Sequence, residues 1–355
     1  MSRSTLKIAQ IAAGRIGQSS MRAVIRHPSM ELVGLKVYSE NKEGKDAGLL
    51  CGLKEIGVPA TNNLEDIIAA QPDCALYMPE GFNVDELCHL LAAGINVITT
   101  RNEFFYGPAM DVSLREKIQS ACLSGGTTIH ATGSSPGFIT EALPAVLTSL
   151  SRKLQCVTID EYADIPLSTT PDMITQVMGF GQPIPDQFNQ QMLEHSAGGF
   201  SQSLSALASA LGLEITGIES KGEFGAAQSD VSLPGGAIIR KGTVAAMRIT
   251  VAAMVQQQAK LIFRANWFCS TNTVPDFEVR NNGWRVQVDG DTPLNVTIDF
   301  PSSDQPLKDQ MSGLTAHRAV NSIAAVCAAE PGIKSCHELG PVLAQFANSN
   351  AAVCG

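Results

Sequence analysis

One carboxylate stands among three aromatic residues in the segment Arg101-Asn102-Glu103-Phe104-Phe105-Tyr106-Gly107. Apolar neighbours disfavour the charged form of a carboxyl group, which would make Glu103 a proton acceptor usable near neutral pH. The competing reading is a surface turn whose aromatics pack on a neighbouring helix. A second stretch, Lys7 to Gly17 (KIAQIAAGRIG), suits an anion. Its Gly14-Arg15-Ile16-Gly17 follows a short apolar run, Ile8 to Ala13, and opens a helix-like segment, Gln18 to His27. A pyrophosphate must come close to the backbone there, where a side chain at Gly14 would be in the way. Free N–H groups at the helix start then hold the charge, and Gly17 lets the helix pack against the strand.

The elements that must position these groups follow in order. A second strand, Glu31 to Ser39, completes a strand–helix–strand unit of about 30 residues, the context a dinucleotide site requires. The fingerprint departs from G-x-G-x-x-G at its first position, where Ala12 stands and is expected to hold a turn with negative φ. Past the second strand, Ser39 and Lys42 suit a ribose 2′-phosphate, whereas Glu40 could serve a free 2′-hydroxyl. The reading favours NADP(H), with NAD(H) possible. Its cofactor-binding set is Ala13, Gly14, Arg15, Ile16, Gly17, Ser39, Lys42, Met78, Pro79 and Thr100. Met78, Pro79 and Thr100 end the strands Cys74–Met78 and Asn96–Thr100, and Glu103 emerges just beyond the latter. Reacting groups belong at the carboxyl ends of strands in a doubly wound sheet.

The chain divides in three on this reading. Residues 1–135 form a doubly wound (Rossmann) α/β domain whose last strand is Thr127–Thr132. Residues 136–305 form an α+β substrate-binding and dimerisation domain with a large mixed or antiparallel sheet. Residues 306–355 supply C-terminal helices, Pro306–Ala329 and Leu339–Phe346, that pack back on the first domain. The hinge is Gly133-Ser134-Ser135-Pro136-Gly137-Phe138. In the second domain a helix is expected over Pro171–Phe180, and a long helical region over Pro185–Leu211 with an interruption at Gly198-Gly199. Strands follow at 214–224, 236–239, 243–256, 259–268, 283–289 and 294–300.

Composition removes several function classes. A net charge of −9 with no basic run argues against nucleic acid. No apolar run approaches the ~18 residues of a membrane span. The start, MSRSTLKIAQ, leads straight into the first strand without a signal peptide, so a cytoplasmic location is expected. Nine cysteines without C-x-x-C spacing fit buried thiols, and six histidines without paired-ligand spacing predict no metal site.

Six stretches resemble one family: GRIG (14–17), GKDAGLLCG (44–52), LLAAGINVITTRNEF (90–104), GSSPGFITEALP (133–144), VMGFG (177–181) and TAHRAVNSIAAVCAAEPGI (315–333). In this order they resemble the dihydrodipicolinate reductase-like amine dehydrogenases, which include 2,4-diaminopentanoate dehydrogenase. The histidine-rich catalytic stretch of dihydrodipicolinate reductase itself is absent. The resemblance implies NAD(P)H-dependent reductive amination of a ketone or aldehyde with ammonia, or the reverse deamination, and a homodimer. It implies that Glu103 holds and deprotonates ammonium or the amine. The hinge carries Ser134-Ser135 where diaminopentanoate enzymes tend to carry an asparagine for a substrate carboxylate, which favours a simple aliphatic or cyclic substrate. Pocket walls are expected among Phe138, Tyr162, Met173, Met178, Phe180 and Trp267, each with plain core packing as its alternative. Two other functions stay open: a carbonyl or cyclic imine reductase that uses no ammonia, and a non-catalytic cofactor sensor.

Overall fold

A computed structural model describes residues 5–167, 173–234, 236–301 and 307–345. The first stretch of chain alternates strands and helices: β1 (Leu6–Ile11), α1 (Arg15–Ile25), β2 (Met30–Lys36), α2 (Ala47–Leu50), β3 (Ala60–Thr61), α3 (Leu64–Ala69), β4 (Cys74–Tyr77), α4 (Val84–Ala92), β5 (Asn96–Thr99), α5 (Val112–Gly125) and β6 (Thr128–Ala131). An irregular turn over Ser134–Ala142 leads to α6 (Leu143–Thr148) and β7 (Leu154–Asp164). Then come α7 (Gln190–Ala210), β8 (Gly217–Ala227), a small ribbon of β9 (Val231–Ser232) and β10 (Ile238–Ile239), β11 (Val244–Val255), β12 (Gln258–Phe268), β13 (Thr273–Val274), β14 (Gly283–Gly290) and β15 (Leu294–Asp299). The chain closes with α8 (Leu307–Cys327) and β16 (Gly332–Lys334).

The first sheet runs β16-β6-β5-β4-β1-β2-β3 with every pair parallel. Its central strands, LKIAQI and CALY among them, are largely buried on both faces because helices cover both. One layer packs α1 and α8 on the sheet through Ile8, Met21, Val24, Ile98, Ala319 and Ile323; the other packs α4 and α5 through Leu87, Leu91 and Ile118. Strand order reverses between β1 and β4, so the crevice of a doubly wound sheet opens at their carboxyl ends.

The second sheet is mixed: β13-β8-β11-β12-β7-β14-β15, with β7 and β12 parallel and the other pairs antiparallel. One face is roofed by α7 through Leu204, Leu207 and Phe263. The other carries a buried ion cluster, in which Asp160 meets Arg264 at 2.6 Å and Arg285 at 2.7 Å.

Four expectations are corrected. Thr127–Thr132 does not end the first sheet; β16 adds to it beyond β6 after the whole second sheet has been made. Leu339–Phe346 is not a helix: 339–345 has no regular structure, as Gly340-Pro341 would suggest, and Phe346 lies outside the described residues. Over Pro171–Phe180 there is a single wide turn, Met173–Val177, with Pro171 and Asp172 outside the described residues. Helix α7 passes through Gly198-Gly199 unbroken. No helix among the described residues is long and apolar enough to cross a membrane.

Candidate active site

The glycine turn joins β1 to α1 at the crevice. Ala12 sits at φ 73°, in the left-handed region, not at the negative φ expected of it. Its nitrogen donates to the Lys36 carbonyl at 2.8 Å and its carbonyl accepts from Gln10 Nε2 at 3.0 Å, which hold the strained residue in place. A Cβ on Gly17 would lie 2.3 Å from the Ala12 oxygen, so this position admits glycine alone. A Cβ on Gly14 would meet nothing within 4 Å: open space lies over the backbone there. No side chain caps α1 and its first turn holds no acid, so the leading N–H groups face a site free of competing charge. These features fit a dinucleotide pyrophosphate.

Lys42 reaches back to this turn and donates from Nζ to the Ala13 carbonyl at 3.0 Å. Ser39 is exposed and bonded to Asn41 at 2.7 Å, and Arg15 is exposed at the mouth of the turn. Met78 turns its side chain into the core beneath α1, where Ser20 Oγ donates to its sulfur at 3.3 Å, leaving its backbone, with partly exposed Pro79, on the crevice edge. Thr100 follows β5 on the same edge, and the turn Asn102–Phe104 continues from it.

Glu103 stands in this turn in surroundings other than those expected. Phe104 and Phe105 are wholly buried beneath it, Phe104 edge-on to Phe82. The carboxylate turns away from them and takes both oxygens to Arg101, Nη2 at 2.7 Å and Nε at 3.2 Å. Arg101 is itself tied to the Glu80 carbonyl. The sequence reading missed Arg101, although a residue two places from a carboxylate in a tight turn is within its reach. Helix α7 clamps the turn from above. Gly199 approaches so closely that a Cβ would lie 2.4 Å from Asn102 Cγ. The Gln202 amide, oriented to satisfy them, donates to the Asn102 and Glu103 carbonyls at 3.1 and 3.2 Å.

The expected pocket residues scatter. Phe138 and Trp267 share the covered face of the second sheet, Phe138 6.2 Å from Trp284. Tyr162 points the other way and packs with Ala246, Phe268 and Phe277. The cause is the two-residue period of β7: Val157, Ile159 and Glu161 share the covered face, Asp160 and Tyr162 the opposite one. Phe180 is core, enclosed with Ile174, Ile239 and Val244; Met178 packs at its edge and Met173 is exposed. The same alternation identifies what the reading overlooked: Glu161 is a carboxylate at a position where the covered face calls for an apolar residue. Trp284 Nε1 donates to it at 3.3 Å, and burial raises its proton affinity above that of an ordinary carboxylate.

A second buried acid, Glu141, ends the hinge turn. Ser203 of α7 donates to it at 2.6 Å, and burial pushes its carboxyl up to about 8 despite that bond and the charge of Arg318. The hinge itself holds a cis Ser135–Pro136 bond, with Ser134 Oγ 2.8 Å from Thr315 Oγ1 of α8. Among the described residues no cluster of histidine, cysteine, aspartate and glutamate could hold a metal, and the cysteines are free thiols.

Comparison with known proteins adds to this geometry. Residues 7–98 match the family model of the dihydrodipicolinate reductase N-terminus, and residues 138–353 that of the 2,4-diaminopentanoate dehydrogenase C-terminal domain. The chain is similar to an amine dehydrogenase of Streptomyces virginiae, 25% identical over 331 residues, or 90% of this chain and 92% of that protein. It is 23% identical to a 2,4-diaminopentanoate dehydrogenase of Acetoanaerobium sticklandii over 160 residues, 43% of this chain and 44% of that one. In fold it is similar to the solved structure of an amine dehydrogenase from Mycobacterium smegmatis, with a TM-score of 0.74 over 97% of this chain and 98% of the other at 18% identity.

Proposed function

The chain belongs to the 2,4-diaminopentanoate dehydrogenase family, whose C-terminal domain model spans residues 138–353, and from that premise we propose that it is an NAD(P)H-dependent amine dehydrogenase. In the reductive direction a ketone or aldehyde condenses with ammonia and the resulting iminium is reduced to an amine; the reverse is oxidative deamination. A bound nicotinamide would supply or accept the hydride. The observation that carries the reading is the placement of Glu103: it lies in the turn that follows β5, on the carboxyl edge of the sheet whose β1 ends in the glycine turn, beneath a helix from the second sheet's layer.

The chain's own groups divide the work. The N–H groups of Arg15, Ile16 and Gly17 hold the pyrophosphate. Lys42, which bonds the Ala13 carbonyl, and Arg15, exposed at the first turn of α1, favour a 2′-phosphate, hence NADP(H) over NAD(H). Arg101 orients Glu103, whose carboxylate stabilises the iminium cation through its field and manages the proton of carbinolamine breakdown. Phe138 and Trp267 wall the apolar part of the substrate.

The test is oxidation of NADPH, and in parallel NADH, with cyclohexanone and a panel of short ketones and aldehydes, with and without excess ammonium. Ammonia-dependent turnover that falls about 100-fold or more in Glu103→Gln is the expected result. Equal turnover without ammonia would make the protein a carbonyl reductase. Cofactor binding with no turnover on any of the substrates would favour a sensor.

A further inference from the structure

A cavity of about 510 Å³ lies where the hinge turn, α6, α7 and the chain beyond β16 come together. Leu143 and Val146 of α6, Leu207 and Ala210 of α7, and Leu339 and Leu343 of the final stretch form its apolar walls. Val146 is 67% exposed and Leu343 73%, so two large apolar side chains stand in water at its rim. The volume falls within the roughly 300–1,000 Å³ of small-molecule sites. Glu103, Trp267 and the glycine turn take no part in these walls. Phe138 is the partition: its ring stands 6.2 Å from Trp284 of the second sheet, and the Arg318 guanidinium of α8 lies 5.9 Å from the same ring.

Arg318 also lines the cavity, and its charge is unanswered. No ion pair among the described residues includes it. Its hydrogen bond, from Nη2, goes to the Cys336 sulfur at 3.4 Å, a weak acceptor, and its Nε is buried without an acceptor. A guanidinium cannot shed its proton to escape a dry setting, so a half-buried one calls for a counter-ion. The acid in the wall does not supply it. Glu141 is held by Ser203 at 2.6 Å, and burial keeps its proton on up to about 8. Burial likewise raises the proton affinity of the Cys336 thiol, and His337 stands exposed at the edge. The site therefore joins long apolar walls to one fixed positive charge.

We propose that this cavity binds an apolar monocarboxylate, whose hydrocarbon chain lies between α6, α7 and the stretch 339–343 and whose carboxylate pairs with Arg318. Charge complementarity selects the class. The planar fork of a guanidinium matches a carboxylate, and one negative charge neutralises one arginine. A dianionic phosphate would leave a charge unmatched against leucine and valine, and an ammonium would meet Arg318 as a like charge. The apolar walls set the other half of the ligand, since covering Val146 and Leu343 removes exposed hydrocarbon from water. The site is separate from the amine dehydrogenase chemistry, but it shares α7 with it. That helix gives Leu207 to the cavity and Ser203 to Glu141, while its Gly199 touches Asn102 beside Glu103.

The experiment is calorimetric titration of the whole chain with octanoate, 1-octanol and octylammonium at neutral pH, in the presence and absence of cyclohexanone. Octanoate should bind once per chain, about tenfold or more tighter than octanol, with octylammonium weaker than either. Arg318→Gln should weaken octanoate about 10- to 100-fold and leave octanol within about threefold. Val146→Asp, at the exposed rim, should weaken octanoate about tenfold through like charge and lost apolar surface, with the core untouched. Circular dichroism checks the fold of each variant. Octanol binding as tightly as octanoate would overturn the proposal, since the apolar walls alone would then suffice. So would octanoate affinity unchanged in Arg318→Gln; should that variant misfold, unchanged affinity in Val146→Asp overturns it instead. Displacement of octanoate by cyclohexanone would move the ligand to the reaction site, and no saturable binding up to about 1 mM would leave the cavity without this ligand; either result overturns the assignment.

Discussion

At the scale of single residues, the chemistry turns on small local choices. Ala12 takes the left-handed conformation that the first glycine of a dinucleotide turn supplies at no steric cost. A Cβ in that region costs about 1–2 kcal/mol, part of which glycine returns as greater freedom of the unfolded chain. Ala12→Gly should therefore raise stability by about 1 kcal/mol in urea denaturation, with NADPH affinity kept or improved. The same residue shows how legibility works at this scale. Gly14 and Gly17 were readable because spacing alone dictates a close approach of backbone. The φ of Ala12 was not, because the Lys36 and Gln10 contacts that impose it come from outside the turn. Glu103 was readable as the group in the turn beyond β5; its pairing with Arg101 was not, since aromatic neighbours in sequence proved to be neighbours beneath it and not around it. Glu161 was within reach of sequence, as a charge interrupting the apolar register of Val157 and Ile159.

At the scale of elements, α7 is the part that joins the second sheet to the reacting turn. Glycine inside a helix costs roughly 0.5–1 kcal/mol relative to alanine, and the pair at 198 and 199 reads as a break for that reason. The structure separates them. Gly198 faces open space, while Gly199 lies where any larger residue would strike the Asn102 side chain. Gly198→Ala should be neutral or stabilising by up to about 1 kcal/mol in thermal melts. Gly199→Ala should push the Asn102–Glu103 turn off the helix, lowering ammonia-dependent kcat about tenfold or more while the far-ultraviolet circular dichroism stays that of wild type. The existence of α7 was legible from its length and apolar spacing, but its continuity was not, because the reason for the glycine lies 97 residues earlier in a turn (199 − 102) that a one-dimensional pattern does not bring near.

At the scale of the whole molecule, the hinge turn, α7 and α8 converge on Glu141, which ties stability to pH. Its folded carboxyl holds its proton up to about 8, against an ordinary value of 4.5. The folded state thus binds the extra proton between these limits, so the contribution is whole below about pH 4.5 and declines as pH rises, gone above about 8. Glu141→Gln, with Ser203 still able to donate to the amide, should flatten this decline; its melting temperature should exceed that of wild type at about pH 9 and approach it at about pH 5. The two-sheet plan was legible from the alternating strand–helix order followed by long alternating strands. The late return of the chain was not, because Gly332–Lys334 is too short to carry a periodic signal. That return has a consequence in time. Thr128 Oγ1 bonds the Glu330 carbonyl across 202 residues of chain. At a ribosomal pace of about 5–20 residues per second, the outer edge of β6 waits roughly 10–40 s for its partner strand, and the apolar sheet face waits nearly as long for α8. For that interval the nascent nucleotide half offers other chains an unpaired strand edge, and the cell must keep it apart from them until the rest of the polypeptide arrives.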